Sequence, residues 1–107
     1  DLSKAPSTKS IDSAIMVKGV KVADLEDTRV KESDVLYYTV QIMALRRPVD
    51  VTYFKNAGTV KVVYNDVDRF YRYMTGQFKT KEEAIAWRTE LIRRGYPEEI
   101  FVKKITK

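Results

Sequence analysis

Cysteine and histidine are both absent from this 107-residue chain. Without cysteine there is neither a disulfide framework nor a thiolate metal site, and without histidine the commonest metal ligand and general base is missing. No run approaches the roughly 18 apolar residues of a membrane span, and the first residues lack the apolar core of a signal peptide, so no direct membrane insertion is expected of this segment. The same sequence is compatible with a mature or trimmed product. Hydrophobic residues make up 44% of the chain, enough for one small core and a tail rather than a two-domain enzyme. Charge is uneven. Residues 1–36 carry six Lys/Arg against seven Asp/Glu, and residues 37–107 carry fourteen against eight. The basic second part points to an anionic partner, and nucleic acid, acidic lipid and anionic cell-wall polymer all meet that description.

The opening DLSKAPSTKSIDS is small, polar and aperiodic, which reads as a tether. From Ala14 to Leu25 a partial period-2 pattern, Val20 and Val22 around Lys21, allows a short strand at a domain edge. The charged stretch after it reads as a linker with at most one helical turn. This divides the chain into a tail and linker, residues 1–35, and a domain, residues 36–107. Within the domain, YYTVQIMAL from Tyr37 to Leu45 has strand composition, with Tyr38, Val40 and Ile42 on one face and Thr39, Gln41 and Met43 on the other. Pro48 opens an expected short helix over Val49 to Ala57, stopped by Gly58. Thr59 to Tyr64 and Phe70 to Phe78 form an expected antiparallel hairpin about the turn residues Asn65, Asp66 and Asp68.

Thr80 to Glu83 reads TKEE, a capping box. The helix it starts carries Ala84, Ile85, Trp87, Leu91 and Ile92 at helical spacing and ends at Gly95. Ile100 to Ile105 is the last expected strand. The order β-α-β-β-α-β is the split βαβ arrangement of ferredoxin- and RNP-like α+β folds, a four-stranded antiparallel sheet with two helices on one face. The opposite face then carries Gln41, Phe70 and Arg72. A ring, a guanidinium and a neutral amide side by side suit a flat polar ligand such as a sugar or a base.

Three segments resemble a known family. Tyr38-Thr39-Val40-Gln41-Ile42 is similar to the opening strand of SPOR domains, Phe70 to Phe78 resembles their third strand with its Gly-x-aromatic turn, and Thr80 to Gly95 resembles their second helix. The likeness covers about two thirds of the chain and points to the kind found in Bacteroidetes-like envelope proteins. It implies non-catalytic binding of peptidoglycan glycan strands, including denuded septal glycan, through the open sheet face, in the bacterial periplasm or cell envelope. It carries the family's binding positions over to Gln41, Phe70, Arg72 and Ile100, and it implies neither metal nor cofactor. The chain departs from the family where a glycine and a small polar residue usually follow the glutamine; Met43 and Ala44 stand there.

Other readings stay open at this point. Arg72 can simply pair with Asp66 or Asp68, and Gln41 can be an ordinary solvent-facing residue. A protein-interaction module would use the same face or a sheet edge. Single-stranded RNA binding of the RRM kind shares the element order, but the glycine and aromatic pattern of its third strand is missing from Phe70 to Phe78. Glu82, Glu83 and Glu90 fall on a helix surface without forming an acid/base pair, so no enzyme is expected. A monomer is expected.

Overall fold

The structure, a computed structural model, describes residues 16–107; the expected tether Asp1–Ser13 lies outside them. Its elements are β1 (Met16–Val17), β2 (Lys21–Asp24), β3 (Val35–Leu45), β4 (Val60–Tyr64), β5 (Tyr71–Phe78), α1 (Lys81–Arg93) and β6 (Phe101–Thr106). All six strands join one sheet in the order β1-β4-β5-β3-β6-β2. The β1/β4 pair is parallel and every other pair antiparallel. The fold is α+β, but the expected four-stranded antiparallel sheet with two helices is overturned: the sheet is mixed and six-stranded, and among the described residues there is one α-helix.

The missing helix is the one expected over Val49 to Ala57. Only a single 3-10 turn forms there, Val51–Tyr53. Asp50 accepts hydrogen bonds from the Thr52 N–H at 2.9 Å and from its hydroxyl at 2.8 Å, which closes the turn locally, and β-branched Val51 and Thr52 do little to extend it. Asn56 at φ 58° and Gly58 at φ 68° then swing the chain into the left-handed region. Burial holds this loop in place of a helix. Phe54 and Ala57 sink into the core, with the Phe54 ring 4.8 Å from that of Tyr73. The Tyr73 hydroxyl accepts from the Val49 N–H at 2.6 Å and donates to the Val49 carbonyl at 2.7 Å.

The extra strands come from the Ala14–Leu25 segment, whose pattern allowed one short strand at a domain edge and which supplies two. Val22 pairs with Ile105 and Met16 with Val62, so the segment joins the sheet at both ends of its strand order. Only Lys18, Gly19 and Val20 connect the two. A flat sheet would set β1 and β2 about five strand spacings, or ~24 Å, apart, whereas the four steps from Val17 to Lys21 reach at most ~14 Å. The sheet must therefore curl until its two edges approach each other. Curling encloses a second small core on the face away from α1, where Val17, Val20, Val22 and Tyr37 pack on Val63, Met74 and Ile105.

The helix follows its sequence signals. Thr80 Oγ1 accepts from the Glu83 N–H at 3.2 Å, and Glu83 Oε1 accepts from the Thr80 N–H at 3.3 Å, which satisfies two otherwise orphan amides. Ala84 and Leu91 are fully buried against Val40, Ile42, Val60, Val62 and Val102. At the C-terminal end, hydrogen bonds from Arg93, then from Arg94, hold the Glu90 carboxyl down at about 2. Arg94 also donates to the Asn56 carbonyl at 3.0 Å and lies over the Trp87 ring at 5.0 Å. A carboxyl depressed in the folded state contributes stability that is complete above its ordinary value near 4.5 and is lost as pH falls toward 2. Glu90→Gln is therefore expected to lower stability modestly at pH 7, an exposed cluster being screened by solvent, and to flatten that part of the acid-unfolding curve so that variant and parent converge toward pH 2. An unchanged slope between pH 4.5 and 2 would show that the cluster does not couple to folding.

Candidate functional site

The N-terminal strands cover only part of the face away from α1. β2 ends at Asp24, paired with Lys103, so the start of β6 runs on beyond it. On β3, Gln41 sits between Met74 of β5 and Phe101 of β6. Phe101, in register with Gln41, is 56% exposed, whereas a bulge after Gln41 sets Met43 in register with the core residue Tyr73 rather than in phase with Gln41 as the alternation suggested. This uncovered end is where the sheet presents side chains to solvent.

Phe70 stands just before β5, and the turn that precedes it is tightly specified. Asn65 accepts through its side chain from the Val67 N–H at 2.8 Å, and its carbonyl accepts from the Arg69 N–H at 2.7 Å. Arg69 closes the turn at φ 63°. Asp68 is thereby aimed back along the strand, accepting from the Phe70 N–H at 2.9 Å and from both terminal nitrogens of Arg72 at 3.2 and 2.7 Å. The Arg72 hydrogen bonds, followed by the Phe70 amide, hold the Asp68 carboxyl below its usual range, with smaller contributions from the charges of Arg72 and Arg46.

Leu45 pairs with Tyr71 and Ala44 with Arg72, so Arg46, the next residue out of β3, arrives beside Phe70. Its guanidinium lies 5.1 Å from the Phe70 ring centroid, and that of Arg72 lies 5.7 Å away. A matching arrangement stands on β6, where the Lys103 ammonium is 5.3 Å from the Phe101 centroid and is paired with Asp24. Two rings with attendant cations thus belong to one face of the sheet, with Gln41 in the strand between them. Gln41 Oε1 is buried and accepts no hydrogen bond from any described residue, an arrangement that ordinarily costs about 1–3 kcal/mol. A cleft of about 740 Å³ between β2 and the β4–β5 turn reaches both Arg72 and Lys103.

The structure therefore brings Phe70 and Arg72 together and sets Gln41 on the same face. Ile100 is elsewhere: it is 2% exposed, packs in the core under α1, and its carbonyl accepts from Arg88 Nε at 2.7 Å. β6 begins one residue later than expected, and a one-residue step moves a side chain to the other face, so Phe101 takes the exposed position. Arg72 does pair with Asp68, one of the partners the sequence allowed. Arg46, Phe101 and Lys103 are the site residues that sequence reasoning did not single out. The signal for Phe101 was present in its alternation with Val102, whereas Arg46 lies beyond its strand, where alternation says nothing. Among the described residues no group of acidic side chains could hold a metal ion, and no helix is long and apolar enough to cross a membrane.

Compared with known protein families, with curated proteins and with solved structures, the chain shows no match.

Proposed function

We propose that this domain is a non-catalytic glycan-binding module of the bacterial cell envelope, which seats peptidoglycan strands across the uncovered end of its sheet. The observation that carries the reading is the pair of ring-and-cation groups, Phe70 with Arg46 and Arg72, and Phe101 with Lys103, on one face to either side of Gln41. Rings can cover pyranose faces, the glutamine amide can both donate to and accept from sugar hydroxyls and acetamido groups, and the guanidinium groups can pair with lactyl carboxylates. The basic balance of residues 37–107 favours the same anionic polymer. The likeness of the strand and helix motifs to SPOR domains agrees with it.

Co-sedimentation with purified sacculi, before and after amidase removal of stem peptides, tests the reading, with RNA oligomers run in parallel. The chain is expected to pellet with sacculi, more so with denuded ones, and not to retain RNA. Phe70→Ala should weaken pelleting roughly tenfold, a loss of ~1.4 kcal/mol, by removing the surface that both guanidinium groups flank. Arg72→Ala should weaken it less, about three- to fivefold, because Asp68 already occupies that guanidinium and a ligand gains only the difference between two partly exposed pairs. Folded variants that pellet like the parent would place the ligand elsewhere.

A further inference from the structure

We propose that a second pocket, separate from the ring-and-cation face, takes a small planar ring carrying one anionic group. It lies where β5 meets the start of β4 and the inner side of α1, and it measures about 550 Å³, within the range of small-ligand sites. The backbone creates it. The β3/β5 register slips between Tyr38 and Val40, and the glycines at 58 and 76 take positive φ values of 68° and 88°; Gly58 leaves its part of the rim without a side chain, and Gly76 lets the rings of Phe78 and Trp87 close in as walls. Its walls include the rings of Tyr37, Phe78 and Trp87, with Met74 also lining it.

The polarity of this pocket defines the ligand. The Thr75 hydroxyl donates to the Ala57 carbonyl and accepts from the Trp87 indole N–H at 3.3 Å, and the Thr39 hydroxyl donates to the Thr75 carbonyl at 3.0 Å. These lining groups are already engaged within the protein. Lys61 is the one charged residue of the lining, and it forms no ion pair with any described residue. Aromatic walls and a single unpaired ammonium match a flat apolar ring with an anionic substituent, and a neutral ring of the same shape lacks half of that complementarity. This inference does not rest on the glycan reading, since Phe70, Phe101 and their cations take no part in the pocket.

Trp87 is the only tryptophan in the chain, so its emission reports on this wall alone. Phenylacetate and phenylacetamide, which share a ring and differ in charge, are suitable probes. The parent chain is expected to show a saturable change in Trp87 emission with both, and to bind phenylacetate about three- to tenfold more tightly. Lys61→Gln should bring phenylacetate to the level of phenylacetamide without altering the latter, Lys61→Arg should restore the preference, and Phe70→Ala should change neither. Amide shifts at Gly58 and Gly76 should accompany binding. A lack of saturable response to both probes, equal affinities in the parent, a preference that survives Lys61→Gln, or shifts confined to other regions would each overturn the proposal.

Discussion

A Gly76→Ala chain is expected to lose about 2–4 kcal/mol of unfolding free energy, from a left-handed backbone cost of ~1–2 kcal/mol and a crowding cost of similar size. Gly76 sits at φ 88°, and a Cβ added there would fall 2.9 Å from Phe78 Cζ and 3.1 Å from Trp87 Cδ1. Both rings also pack against the core under α1, so relief requires moving side chains that hold the helix to the sheet. In a domain of this size such a loss lowers the melting temperature by roughly 10–25 °C. Gly95→Ala is the matched control: its φ is 110°, but nothing lies within 4 Å of the added atom, so only the backbone cost of ~1–2 kcal/mol applies. Equal losses in the two variants, measured by urea unfolding, would remove the crowding from the account.

Ile105→Ala should cost about 2–4 kcal/mol, the range for a buried aliphatic side chain whose cavity cannot fully collapse. The figure separates two descriptions of the sheet. If the face away from α1 were open, truncating Ile105 would remove a half-solvated side chain and cost well under 1 kcal/mol. Instead Ile105 is fully buried with Val63 and Met74 under Val17, Val20 and Val22. A loss below 1 kcal/mol in chemical denaturation would mean that the N-terminal strands do not close over this face in solution.

Elements governed by neighbouring residues were legible in the sequence. The β4–β5 hairpin follows from the alternation of Val60 to Tyr64 and the turn chemistry of Asn65 and Asp68, and α1 follows from the Thr80–Glu83 capping box and Gly95. The short edge strand that Val20 and Val22 allowed formed as β2, though what fixes it is its pairing with β6, about eighty residues away in the chain. What escaped depends on distant partners. Over Val49 to Ala57, proline and glycine punctuation resembled that of a helix, but the chain is held there by the Tyr73 hydroxyl and by burial of Phe54, which no local pattern encodes.

The candidate site divides along the same line. The shared phase of Phe70 and Arg72 and the opposite phase of Gln41 and Val40 could be read by counting. Ile100 and Phe101 differ by one residue, and only the observed start of β6 decides which of them meets solvent. Arg46 enters because β3 and β5 end in register, and Asp68 clamps Arg72 because Arg69 turns left-handed. Both are consequences of the assembled hairpin.

The claim that the uncovered end of the sheet binds glycan is tested most directly by titrating the isotopically labelled chain with soluble denuded glycan fragments and following its amide resonances. The account predicts saturable shifts at the Gln41 side-chain amide and at the backbone of Phe70, Arg72 and Phe101, all with one dissociation constant that weakens in Phe70→Ala. Unchanged spectra at high fragment concentration, or shifts confined to α1 or to the Gly58 and Gly76 pocket, would contradict it.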